Sequence, residues 1–249
     1  MKQAMIEICA GSYEDALAAY RNGAKRVELN SALALGGLTP TLASLILTKQ
    51  NTDLKVICMD RPRGAGFCYT DVEVEVMFAD AKLMLDNGAD GIAFGFLNPD
   101  STVNVELTKK MVDFIHSYGD REAVFHRAFD TVSDYQIAME QLLACNVDRV
   151  LTSGLQAKAM QGKDLIKLLQ EKYGDRIELL AGSGMNDTNA NEMMEYTGIN
   201  QVHSSCKAWV KDPTTIGQYV NYSYGSDGHE SDYDVVDGSK VKLIVESVL

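Results

Sequence analysis

The groups able to do chemistry stand at the ends of short β-rich runs, scattered along the 249-residue chain rather than gathered in one motif. In Ile6-Glu7-Ile8-Cys9 and Arg26-Val27-Glu28-Leu29-Asn30, strand alternation puts the aliphatic residues on one face and both glutamates on the other. A carboxylate buried alone is costly, so Glu7 and Glu28 require cationic partners. Other run ends supply them: Arg61-Pro62-Arg63, His126-Arg127 with Asp130 just beyond, and His203-Ser204-Ser205. Glu7, Glu28, Arg61, His126 and Asp130 are therefore candidate catalytic residues, an acid/base cluster in which one carboxylate tunes another. His126 is expected to change charge near neutral pH, and Arg61 and Arg63 offer planar bidentate donors to a carboxylate or phosphate. Arg63, Arg127, Ser153, Gly182, Gly184, His203, Ser204 and Ser205 are candidate binding residues for a small anion. Of these, Gly182, Gly184, Ser204 and Ser205 lie where barrels often hold a phosphate, just past the seventh run and at the end of the eighth. A buried ion-pair network and a tight glycine turn are the plainer readings of the same residues.

These residues are positioned by a regular α/β alternation. Runs at 6–9, 26–30, 54–61, 91–97, 123–129, 149–153, 177–181 and 201–206 read as strands, with helical stretches between them. Ser12 is placed to cap the first helix, and Gly23 falls just past its end. Short connections predict parallel strands with helical crossovers, and eight units predict one (β/α)8 TIM-type barrel over residues 1–209. An open doubly wound sheet is the alternative. The segments NGAKRVEL, NGADGIAF and CNVDRVLT echo one another as helix end, turn and strand start. Residues 210–238, rich in Tyr, Asp, Ser and Gly, have no apolar period and predict a surface excursion. Ser239 is then expected to cap a closing helix over 240–248, which completes an irregular extension over 210–249. That helix must pack on the barrel wall or on a partner subunit.

A net charge of −12 argues against a nucleic-acid or anionic-membrane surface, though not against a locally positive site for a small anion. Met1-Lys2-Gln3 leads directly into a strand, and no run approaches the ~18 apolar residues of a membrane span. A cytoplasmic location is expected. The five cysteines, Cys9, Cys58, Cys68, Cys145 and Cys206, form no C-x-x-C pair. They predict reduced, mostly buried thiols and no preformed zinc site. His116 and His229 read as surface residues, and Trp209 as an anchor for the tail.

Taken together, EICAGSYEDALAAYRNGAKRVEL, GGLTP, RPRGAGFCYTD, FHRAFD, RVLTSG and VHSS resemble the CutC family, the so-called copper homeostasis proteins. The likeness runs from about residue 6 to 209, and VVDGSKV matches the family's C-terminal segment. It implies a TIM-type barrel, a cytoplasmic location, a homodimer or higher homo-oligomer, and a role in copper handling through weak Cu(I) binding. Two departures bear on that role. Asn30 stands where the family commonly has a cysteine, and Ala65-Gly66 replace a glycine and an acid. Cys9 carries over as a soft ligand, and Cys206 on the neighbouring eighth strand is the candidate to complete a two-thiolate site. Three functions stay open: Cu(I) handling, a TIM-barrel enzyme acting on a small phosphorylated or carboxylated substrate, and an oligomeric scaffold.

Overall fold

Strand alternation fixes the architecture of this protein, whose computed structural model describes residues 4–223, 225 and 228–248. Eight strands close into a parallel barrel: β1 (Met5–Ala10), β2 (Arg26–Leu29), β3 (Lys55–Met59), β4 (Gly91–Phe94), β5 (Glu122–Phe125), β6 (Arg149–Thr152), β7 (Glu178–Gly182) and β8 (Gln201–Ser204). β1 pairs with both β2 and β8, so the sheet has no free edge and the open-sheet alternative falls. The crossover helices are α1 (Tyr13–Arg21), α2 (Leu42–Asn51), α3 (Asp71–Asp86), α4 (Val105–His116), α5 (Tyr135–Ala144), α6 (Lys163–Tyr173) and α7 (Ala190–Thr197). Ile6, Ile8, Val27 and Leu29 join the apolar layer between strands and helices, while Glu7 and Glu28 face the barrel interior at 1% and 3% exposure.

Caps account for several helix starts. The Ser12 hydroxyl accepts from the Asp15 amide at the start of α1, and Thr70 forms a capping box with Glu73 at the start of α3. Elsewhere the sequence expectation shifts by a few residues. The stretch before α6 is a 3-10 turn over Ala159–Gln161, because the Ala159 amide is drawn across to the Ser183 carbonyl. Residues 186–189 stay outside α7, where the Asn186 side chain accepts from the Thr188 amide and hydroxyl.

The C-terminal segment is more ordered than its composition suggests. β9 (Lys207–Lys211) and β10 (Asp232–Val236) form an antiparallel ribbon, followed by α8 (Gly238–Glu246). Asp237, not Ser239, caps α8 by accepting from the Ser239 amide. The ribbon is tied down where the Val236 amide donates to buried Asp15, and α8 buries Val241 and Ile244 while packing on α1 and β1. Trp209 stacks on His229 at 4.4 Å, and His229 pairs with Asp232. His116 is likewise engaged, with Asp148 at 2.8 Å. Among the described residues no helix is long and apolar enough to cross a membrane.

The barrel interior is divided. On the β3–β5 side it is a small apolar cluster of Ile57, Met59, Ala93 and Val124. Across β5–β8 and β1–β2 its lower end is an ionic plug. Arg149, 1% exposed, donates to Glu122 at 2.8 Å and to Glu178 at 3.2 Å, and lies 3.9 Å from Glu7. Gln201 bridges Arg26 at 2.6 Å and Glu178 at 2.7 Å. Removing one partner from such a network leaves the others charged and dry. Arg149→Ala should therefore cost about 3–5 kcal/mol of stability by urea unfolding; a loss within the error of the parent's curve would contradict the plug.

Candidate functional site

Register brings the key groups together. Glu7 sits opposite Arg26 on β2 and His203 on β8, and Cys9 sits opposite Glu28. The Glu7 carboxylate forms an ion pair with Arg26 Nε at 2.6 Å and receives His203 Nδ1 at 2.9 Å. Burial pushes Glu7 up, but Arg26, the His203 hydrogen bond and Arg149 outweigh it and hold the carboxyl down at about 2. His203 gains in turn. Burial opposes its charge, yet Cys9, Glu28 and Glu7 together raise it well above the ordinary 6.5. With Nδ1 committed to Glu7, Nε2 is left facing Glu28 Oε2 at 3.9 Å.

Cys9, Glu28 and His203 offer one ligand atom each within 4.8 Å of one another, a grouping able to hold a metal ion. Sequence spacing gives no hint of it, because the three come from β1, β2 and β8. Asn30 donates to Cys9 Sγ at 3.6 Å and to Glu28 Oε2 at 3.0 Å, so it stands beside Cys9 where a thiol partner would. Burial raises both the Cys9 thiol, despite the nearby His203, and the Glu28 carboxyl, to which Glu7 adds like charge.

Above this group opens a cavity of about 660 Å³, lined by Cys9, Glu28 and His203 on one side and by Arg61, His126, Arg127, Lys158 and Lys207 elsewhere. Gly184 and Ser205 also line it, as does Ser183 between the two glycines of the β7 loop. Arg127 is aimed by Asp130, whose carboxylate receives Arg127 Nε at 2.7 Å, Thr152 Oγ1 at 2.6 Å and the Ser153 amide and hydroxyl. Asp130 and Ser153 thus hold Arg127 from behind rather than line the cavity.

Several expected site residues are placed differently. His126 does not switch near neutral pH: burial, then the Arg61 charge, lower it to about 3. Its Nδ1 accepts from the Ala128 amide, which leaves a neutral ring with the proton on Nε2. The Arg61 fork is spent on the carbonyls of Leu35, Gly37 and Ala65. Arg63 is further removed, paired with Glu73 at 2.5 Å and donating to Gly64, Gly66 and Cys68. Gly182 serves packing, since a Cβ there would meet Leu151 at 2.7 Å. Ser204 donates outward to the Met185 carbonyl, and Cys206, on the same outward parity, contacts Ser204 and lies in the outer apolar layer. Its left-handed φ of 42° marks a turn beyond β8. Cys206 therefore does not join Cys9, and no two-thiolate site forms between them. Lys158, from the loop after β6, and Lys207, opening β9, escaped the sequence reading because neither belongs to a motif.

Comparison with known proteins agrees with the fold. A model of the CutC family matches residues 4–208. A family protein CutC from Treponema denticola is 45% identical over 215 residues, 86% of each chain. The copper homeostasis protein cutC homolog of Homo sapiens is 37% identical over 242 residues, 96% of this chain and 87% of the other. A CutC structure from Streptococcus agalactiae superposes with a TM-score of 0.76 at 28% identity, covering 82% of this chain and 99% of that one. Phosphoribosyl anthranilate isomerase from Thermotoga maritima, with a TM-score of 0.58 at 12% identity over 99% and 98% of the two chains, shares the barrel fold.

The lowered His126 carries a testable sign. Its folded value lies below the ordinary 6.5, so the stability it contributes is full above 6.5 and is lost as pH falls towards about 3. Ring resonances of His126 should stay those of a neutral imidazole throughout the neutral and mildly acid range. A titration midpoint near 6.5 would contradict the buried, unprotonated assignment.

Proposed function

The chain belongs to the CutC family, and from that premise we propose that it handles copper by binding Cu(I) reversibly at Cys9, His203 and Glu28. The observation that carries the reading is the convergence of these three ligand atoms within 4.8 Å at the floor of the barrel mouth. A thiolate is the soft ligand that Cu(I) prefers, and imidazole suits it as well. His203 is oriented for the task, because a carboxylate on Nδ1 fixes the ring and presents Nε2 to the ion. Glu28 adds negative charge beside a cationic guest.

Binding at this group is weak for a physical reason. Only one of the three ligands is soft, and the Cys9 thiol and the His203 ring must each lose a proton that the apo protein holds firmly. Affinity therefore rises with pH. Asn30 in place of a second thiol makes the ion easier to release, as a handling protein requires. The five cysteines are unpaired, which suits a reducing cytoplasm.

Anaerobic competition against a chromogenic Cu(I) chelator tests the reading. Cys9→Ser and His203→Gln should each weaken binding by roughly tenfold or more, while Cys206→Ser binds as the parent does. Unchanged affinity in Cys9→Ser, or a preference for Zn(II) over Cu(I) in the parent, would overturn it.

A further inference from the structure

The copper reading uses the floor of the cavity and leaves its opposite wall unexplained. That wall is cationic on a chain whose net charge is −12. Arg61, Arg127, Lys158 and Lys207 line the cavity, against the single carboxylate of Glu28. Two of the four are already compensated, Arg127 by Asp130 at 2.7 Å and Lys207 by Asp234 at 3.0 Å. The other two are not. Arg61 is 6% exposed, bonded only to neutral carbonyls, and among the described residues has no carboxylate within 4.0 Å. Lys158 forms no ion pair among the described residues. A buried cation without a counter-charge, as Arg61 is, makes a standing electrostatic demand, to which exposed Lys158 adds a second positive charge at the rim.

His126 adds a second and independent sign. Its ring is 2% exposed and lines the same cavity, and its Nδ1–Cε1 edge packs so closely on Gly95 that a Cβ there would come within 2.7 Å of Cε1. Phe67 lies against the ring at 4.9 Å, and the Arg61 guanidinium sits over Phe67 at 5.3 Å. Among the described residues nothing accepts from Nε2, although that nitrogen is fully enclosed. A ring locked in one tautomer, with a buried donor that no protein group satisfies, is built to meet an acceptor on a guest.

We propose that the barrel mouth binds a small organic oxyanion, with one oxygen accepting from His126 Nε2–H and the negative charge answering Arg61 and Lys158. Gly184, in the loop after β7, approaches Lys158 closely enough that a Cβ would lie 3.0 Å from its Cδ, so the glycine keeps that lysine seated at the rim. A cavity of about 660 Å³ holds a molecule of a few carbons beside the Cys9 group, not a macromolecule. The ligand chemistry common to phosphate esters and carboxylates satisfies these donors, and the two sources separate by experiment. Nothing in this assignment requires copper.

Isothermal titration calorimetry at constant ionic strength, with inorganic phosphate in one series and succinate in another, gives the test. At least one probe should bind the parent at millimolar concentration or below, and the tighter of the two names the class. Lys158→Ala, an exposed change that leaves the fold alone, should weaken that binding by roughly tenfold, the scale of one charge-assisted hydrogen bond. His126→Phe, which removes the Nε2 donor together with the Nδ1 acceptor of the Ala128 amide, should in the folded variant weaken it as much. Cys9→Ser should bind the anion as the parent does, so this site and the copper site fail separately. Absence of binding by both probes, or parent-like binding in both Lys158→Ala and His126→Phe, would overturn the proposal.

Discussion

Glu7 is a carboxylate at the axis of a barrel, 1% exposed, where an uncompensated charge could not survive. Its two oxygens face opposite ways in consequence. One meets Arg26, which belongs to the plug of Arg149, Glu122, Glu178 and Gln201 below; the other receives His203, which belongs to the site above. The plug keeps the carboxylate ionised, and the ionised carboxylate turns the His203 ring and joins Cys9 and Glu28 in raising its proton affinity. Stability and function are thus joined through one side chain, and the parallel register that sets Glu7 opposite both Arg26 and His203 is what joins them.

The division of the interior follows from the same constraint. An ionic network needs several strands to complete it, so it occupies the arc from β5 round to β2, and the apolar cluster of Ile57, Met59, Ala93 and Val124 fills the β3–β5 side. Dry apolar walls strengthen every charge interaction nearby. They also explain why two histidines in one cavity behave oppositely. His203 lies between carboxylates and is held protonated, whereas His126 lies near Arg61 and is held neutral. A single mouth therefore presents a thiol beside an oriented imidazole on one side and a cationic, donor-rich wall on the other.

Much of this was legible from residue order. Alternation alone placed Glu7 and Glu28 inside, and Ser12 marked the start of α1. The same alternation puts Cys206 on the outer face once His203 points inward, so that error was avoidable. Other misses were not. Arg63 is captured by Glu73, ten residues on, which also closes the capping box of α3, and only the folded loop brings the two together. The neutrality of His126 depends on burial and on Arg61 nearby, neither of which a strand-end motif reveals. Lys158 and Lys207 reach the cavity from connections whose course the sequence leaves open.

The most direct test of this account measures His203 in the parent and in Glu7→Gln, a change that keeps the size of the side chain and removes its charge. Nitrogen-resolved spectra of the imidazole report both its protonation and its tautomer. With Glu7 present, His203 should stay protonated well above 6.5, bonded through Nδ1. In the folded Glu7→Gln variant that value should fall, and the pH at which Cu(I) begins to bind should fall with it, because less proton competes for the ring. A His203 that keeps its proton, with Cu(I) binding at an unchanged pH, without the Glu7 charge would contradict the coupling on which the account rests.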